Sequence, residues 1–337
     1  MRQVAEAVGV ATSTVSKALR NDPSISAERC REIRAAAEQL GYRPNPMVAT
    51  LMAQLHQGRR RADPHQIAWI DLWQTAVSRG VMKPEPLLRG ARQRAAELGY
   101  GIEVYRPAKD GISPERLRQM LTARGQWGLV FPAVPESAMR YPFDLRGFAA
   151  VTIGSSLHEP VMHRVSQNHF QGCVLAFERL RERGFRRIGM ALSPEINERV
   201  EGKWLGAFLF CQHRLPASER VAPRIAAPED EAGFVRWARE EKLDAVLVAE
   251  KPLLQDRNTA RRGVPGKPML FSIKGTEETP NEEGLDYRPE LLGSIAVETV
   301  VAQIHRNERG SPAFPHTIII DPVWVEEKKR TARKRTS

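Results

Sequence analysis

The chain has 337 residues, too many for one small core and enough for a small module joined to a large one. Hydrophobic residues make up 42% and charged residues 27%, a globular mixture with no apolar signal core at its start and no run approaching the ~18 apolar residues of a membrane helix, which predicts a cytoplasmic protein with no membrane partner. The formal charge of +11 makes polyanions the partners to consider.

Residues 3–40 read as three short helices. In the first, at 3–8, Val4, Ala5 and Val8 share one face, and Gly9 follows. A second, at about 12–19, turns Val15, Ala18 and Leu19 inward. The third is capped by Ser26, has Glu28 in its first turn, and lines up Cys30, Ile33, Ala37 and Leu40 before Gly41. Arg43-Pro44-Asn45-Pro46 then stops helix, and residues 47–55 form one short helix before a polar stretch ending at Asp63-Pro64. Up to Arg61 there are ten Lys/Arg against five Asp/Glu, including Arg59, Arg60 and Arg61. Beyond His65 strands and helices alternate. Strands are expected at 67–72, 102–105, 128–132, 149–153, 187–192, 244–249, 269–273 and 317–320. Helices are expected at 86–99, 114–123, 170–183, 202–213, 231–241 and 289–306. This alternation predicts two doubly wound parallel-sheet lobes, with a ligand cleft at the carboxyl ends of the strands. The basic cluster Lys328, Lys329, Arg330, Arg333, Lys334 and Arg335 is expected to be a solvated tail. The three cysteines, Cys30, Cys173 and Cys211, have no metal-ligand spacing and read as small hydrophobes in a reducing compartment.

The run Val4 to Leu19 has the spacing of a helix-turn-helix, with Gly9 at the turn and a second helix that opens on small polar residues. Side chains that short let a helix end enter a major groove. Thr12 and Ser13 would meet base edges, while Thr14, Ser16 and Lys17 would bond phosphates or a base. Taken alone, the same residues also fit a helical hairpin with a solvated Thr/Ser face.

The run VAEAVGVATSTVSKALRNDPSISAERCREIRAAAEQLGYRPNP resembles the headpiece of the lac repressor (LacI/GalR) family of bacterial transcriptional regulators. That resemblance implies an all-α helix-turn-helix headpiece (1–45), a hinge helix and linker (46–64), a two-lobed ligand-sensing and dimerisation core of α/β fold like the type I periplasmic sugar-binding proteins (65–327), and the tail (328–337). It assigns DNA contacts to Thr12, Ser13, Thr14, Ser16, Lys17, Asn21, Tyr42 and Asn45, and a minor-groove wedge to Leu51. Two positions depart from the family: Ala11 stands where a capping Ser is usual, a loss of about 1 kcal/mol, and Val48-Ala49 stands where Ala-Arg is common. The family usually carries several residues before the position of Val4, so helix 1 is expected either to begin uncapped or to lack its usual lead-in. An apolar linker helix packed on the core is the other reading of residues 47–55.

In the core, the stretches 165–172, 183–189, 198–202, 291–298 and 318–321 are similar to family segments. The candidate effector residues are Trp73, Asn168, Arg199, Glu250 and Lys274. The family's sugar-binding aspartates are replaced, by Glu250-Lys251, by Ile273-Lys274-Gly275 and by Asn168-His169. Arg199, Lys251 and Lys274 would favour an anionic ligand if they line the cleft; a core with no small ligand is the alternative. Trp73 either stacks on a sugar ring or packs. The expected function is a homodimeric repressor that reads a near-palindromic double-stranded operator and answers to a small effector, of which a sugar or an anionic sugar derivative is the class considered, through the angle between its lobes. The sequence holds no Walker loop, nucleophile elbow, HExxH or CxxC, so no catalytic residue, metal ligand or cofactor is predicted and an enzyme is not expected. The rival readings are a solute-binding-protein-like sensor and a basic nucleic-acid binder without small-ligand control.

Overall fold

The computed structural model describes residues 2–19, 24–40, 65–73, 84–134, 136–227, 229–249, 268–273 and 284–326. The predicted hinge helix and linker, the basic tail, and Asn21, Gly41, Tyr42, Asn45, Leu51, Glu250 and Lys274 lie outside the described residues.

The amino-terminal part is three helices, α1 (Arg2–Val8), α2 (Thr12–Leu19) and α3 (Ala27–Gln39). The predicted stripes meet as a small core of Val4, Ala5, Val15, Ala18, Ile33 and Ala37, with Val8, Leu19 and Cys30 half-buried at its rim. Leu40 is the exception, 48% exposed. It is the C-cap residue of α3, so its side chain lies past the last turn that the other helices cover. Ser26 accepts from the Arg29 amide at 3.3 Å, as a cap should. Arg29 then reaches back to donate to the Val8 carbonyl at 3.1 Å, satisfying an open acceptor at the end of α1.

The core opens with β1 (His65–Ile70), α4 (Pro84–Glu97), β2 (Tyr100–Tyr105), α5 (Pro107–Asp110), α6 (Pro114–Ala123), β3 (Gly128–Phe131), β4 (Met139–Arg140), β5 (Ala149–Ile153), β6 (Leu157–Glu159) and β7 (His163–Gln167). It continues with α7 (His169–Glu182), β8 (Ile188–Leu192), α8 (Pro194–Arg199), α9 (Lys203–His213), β9 (Arg224–Ile225), α10 (Glu231–Glu240), β10 (Ala245–Val248), β11 (Met269–Ser272) and β12 (Gly284–Asp286). It closes with α11 (Pro289–Arg306), β13 (Thr317–Ile320) and β14 (Val323–Val325).

Two parallel sheets result, as the alternation required. The first has the order β13-β7-β5-β3-β1-β2 and the second β11-β10-β8-β9. Uninterrupted apolar strands such as Gly128–Phe131 and Ala245–Val248 are buried along their whole length, because helices cover both faces of each sheet. In the first lobe α4 and α11 cover one face, over Ile67, Trp69, Val130 and Val151. The other face packs Leu117 and Leu121 of α6 against Phe131, Phe143 and Phe148. In the second lobe α7 and α9 bury Phe177, Trp204 and Phe208 over Met190 and Leu247, while α10 packs Phe234 on the opposite side over Val246 and Val248.

The lobes are not the two halves of the chain. The path leaves the first sheet after β7 to build α7 in the second lobe, returns after β12 to lay α11 on the first, and leaves again after β13 so that β14 pairs with β12. Three connections therefore join the lobes. The strands flanking them, β7, β12 and β14, are absent from the sequence expectation: they are short, and polar residues such as His163, Arg164 and Asp286 break their pattern.

Candidate nucleic-acid interface and interlobe cleft

The turn before α2 is made by Gly9, whose φ of +65° is the left-handed conformation that favours glycine, and it is closed by the Val10 amide on the Ala5 carbonyl at 2.9 Å. At its start α2 has only a backbone acceptor: the Ala11 carbonyl receives Thr14 and Val15 at 2.9 and 3.2 Å, and alanine offers no side-chain oxygen. Val15 and Ala18 fix α2 against its neighbours, which fixes its outer face. Thr12 and Lys17 are exposed and Thr14 is half-buried. Ser13 and Ser16 fall on the same helix. The helix thus presents the hydroxyl of Thr12 at its amino-terminal end and the cation of Lys17 further along.

In the core the loops after β1, β3, β5, β7 and β8 gather at the carboxyl ends of the strands. Trp73, three residues past β1, donates from its indole nitrogen to the Ala133 carbonyl at 2.8 Å, while its amide bonds the Asp71 carboxylate at 3.2 Å. Across the cleft Arg199, at the end of α8, donates to the Val134 carbonyl, and its guanidinium lies 5.9 Å from the Trp73 ring centre. Burial pulls the Arg199 pKa down, against the nearby charge of Glu195. Two of the sequence candidates, one from each lobe, are therefore in contact.

Asn168 sits at the first crossing. Its side-chain oxygen accepts from the Gln171 amide at 3.0 Å, capping α7, and its nitrogen donates to Asp321 at 2.7 Å. Asp321 begins the third crossing, and the Asn168 amide bonds the Ile320 carbonyl at 2.8 Å. Both ends of this amide are engaged within the chain, joining two of the connections between lobes.

Sequence reading gave no role to the next residue, His169, a lone histidine. It is 9% exposed, its ring edge-on to Trp204 at 4.9 Å and to Tyr287 at 5.7 Å. Nδ1 has no hydrogen-bond partner among the described residues. Burial, with Lys203 nearby, holds its pKa down to about 3 against the opposing pull of Glu201. The sequence reading gave no role to Ser155, Arg164, Glu201 and Lys203, which meet at the edge of the cleft. The one signal that could have pointed there is the closely spaced pair of opposite charges at 201 and 203. Among the described residues no group of histidine, cysteine or carboxylate side chains could hold a metal ion, and no helix is long and apolar enough to cross a membrane.

A three-helix module with an exposed polar recognition helix, ahead of two parallel lobes joined by three connections, has the architecture of bacterial regulators with a sensor core. Residues 1–45 match the model of the lacI family of bacterial regulatory proteins. The HTH-type transcriptional regulator MalR of Streptococcus pneumoniae is 26% identical over 189 residues, covering 56% of this chain and 55% of that protein. PtxS of Pseudomonas aeruginosa is 28% identical over 200 residues, covering 58% and 54%. The chain spans about half the length of the curated relatives it matches. A solved lacI-family regulator from Rhizobium etli superposes with a TM-score of 0.56 at 15% identity, over 79% of this chain and 98% of that one. The complex of the transcriptional regulator CelR with cellobiose gives 0.51 at 18% identity, over 96% and 98%. At such identities the likeness is one of fold.

Proposed function

We propose that this chain is a sequence-specific DNA-binding transcriptional regulator, a repressor, whose core senses a small effector. The observation that carries the reading is α2: a helix locked by Val15 and Ala18 that presents Thr12 and Lys17 outward from a lacI-family headpiece. In this reading two copies place their α2 helices in successive major grooves, with half-sites about one turn apart. Thr12, Ser13 and Lys17 read bases, Thr14 and Ser16 bond phosphates, and Asn21, Tyr42 and Asn45 add contacts around them. The hinge supplies Leu51 as a minor-groove wedge.

The effector reading rests on the meeting of Trp73 and Arg199 across the cleft, a flat ring beside a cation. The relative CelR is solved with cellobiose, which supports a sugar-sized ligand here. Arg199, with Lys251 and Lys274 if they line the cleft, would favour an anionic sugar derivative over a neutral sugar. A regulator of this kind acts in the cytoplasm as a homodimer and catalyses no reaction.

The test is selection from a randomised duplex library at near-physiological salt, with the full chain and with a chain lacking residues 1–61. One enriched, near-palindromic site that requires those residues is expected. Salt-sensitive binding with no enriched sequence would reduce the protein to a basic nucleic-acid binder.

A further inference from the structure

The lobes also meet through charged side chains that DNA reading does not use, in the turn that directly follows Arg199. The turn between α8 and α9 belongs to the second lobe and carries Glu201 and Lys203. Glu201 is held at a left-handed φ of +54° beside Gly202 at +67°, a sharp bend that brings both charges to the first lobe. Lys203 donates to the hydroxyl of Ser155, just past β5, at 3.0 Å. Glu201 pairs with Lys203 and lies 3.8 Å from the guanidinium of Arg164 on β7. Arg164 is further fixed by donation to the Leu157 carbonyl at 3.2 Å. Their side chains are 23% (Arg164), 37% (Lys203) and 40% (Glu201) exposed, so solvent screens these contacts only in part. Burial works against the Glu201 charge, yet Lys203, Ser155 and Arg164 together hold its pKa below the ordinary carboxylate value.

Lobes joined only by three connections can hinge, and whatever bridges them sets which angle prevails at rest. We propose that Glu201, Lys203, Arg164 and Ser155 form a clasp that favours the interlobe angle at which these side chains meet, over wider openings of the cleft. An effector that changes the angle works with or against this bias. The clasp belongs to the core and stands or falls separately from DNA binding.

The experiment is single-molecule energy transfer in the full chain, without DNA or ligand. Dyes are placed at Lys109→Cys in the first lobe and Glu240→Cys in the second, both exposed positions, in a Cys30→Ser background. At low salt the parent is expected in one short-distance population. Glu201→Gln should raise the open-to-closed ratio ~2–5-fold, the range for one partly screened ion pair across the lobes, and 1 M NaCl should shift the parent in the same way while moving the variant little. Arg164→Gln should act likewise, and the double variant should open no further than either single, since both remove one linkage. Thermal melting establishes that each variant is folded, and Arg164→Gln carries the test should Glu201→Gln melt early. Identical distance distributions for parent and folded variants, or an equal salt response in all of them, would overturn the clasp.

Discussion

His169 gives a quantitative test of the packing in the second lobe, at the start of α7. In the folded chain its imidazole is enclosed by Trp204 and Tyr287, and its pKa is held down to about 3, against an ordinary value of 6.5. The unfolded chain takes up the proton near pH 6.5 and the folded chain only near pH 3. Between those values the unfolded state binds one proton more, so stability falls as the pH is lowered through the window and flattens below it. One proton is worth about 1.4 kcal/mol per pH unit, and the unfolded histidine is already half-protonated at pH 6.5, so His169 alone should remove roughly 2.3 kcal/mol between pH 6.5 and 4.5. Carboxylates titrate in part of this range, which makes the comparison with His169→Phe decisive. The variant keeps an aromatic ring against Trp204 and Tyr287 but has nothing to protonate. Urea denaturation at half-unit pH steps, followed by tryptophan fluorescence, should show a steeper acid decline in the parent, with the two curves separating below pH 6.5. Parallel curves would refute the reasoning, because a histidine that titrates normally in the fold contributes no such difference.

Gly293 on α11 faces the backbone of α4: a Cβ there would sit 2.9 Å from the Leu87 carbonyl carbon and 3.0 Å from the Ala91 amide nitrogen. Gly293→Ala gains about 1 kcal/mol of helix propensity but must push two helices apart, so a net loss of ~2 kcal/mol is expected in chemical denaturation; equal or greater stability would mean that the helices are not in such close contact. Ile33 is fully buried in the small headpiece core. Ile33→Ala should cost ~3 kcal/mol and unfold that module selectively, seen as loss of hydrogen-exchange protection over residues 2–40 with the core melting unchanged. Lys17→Ala should weaken specific binding more than nonspecific binding in salt-titrated operator assays; equal losses would make Lys17 a phosphate contact only. Leu51→Ala should lower operator affinity while the chain stays folded, and unchanged affinity would remove the wedge from the proposed mechanism.

The parts legible in the sequence are those whose physics is local. Val4, Val15 and Ile33 recur at helical spacing, Ser26 caps and Gly9 turns, so the headpiece follows from residues a few positions apart. The apolar runs at 128–131 and 245–248 could only be strands buried on both faces, and the alternation around them implied parallel sheets. The exposure of Thr12 and Lys17 was legible because everything that fixes α2 lies within one short segment. Trp73 came from its place just past the first strand and Arg199 from the resemblance, and neither revealed that it would touch the other.

What only the tertiary structure decided are relations between distant positions. Strands as short as Gly284–Asp286 and Val323–Val325 have too few residues to show a period and exist because they pair with each other. The three crossings, the engagement of Asn168 with Asp321, and the meeting of Arg164 with Glu201 depend on side chains brought together by sheet order. Such contacts leave no periodic trace along a chain. A burial pattern repeats every two or four residues and can be read directly, whereas a hydrogen bond between residues 153 positions apart exists only once the fold has closed around it.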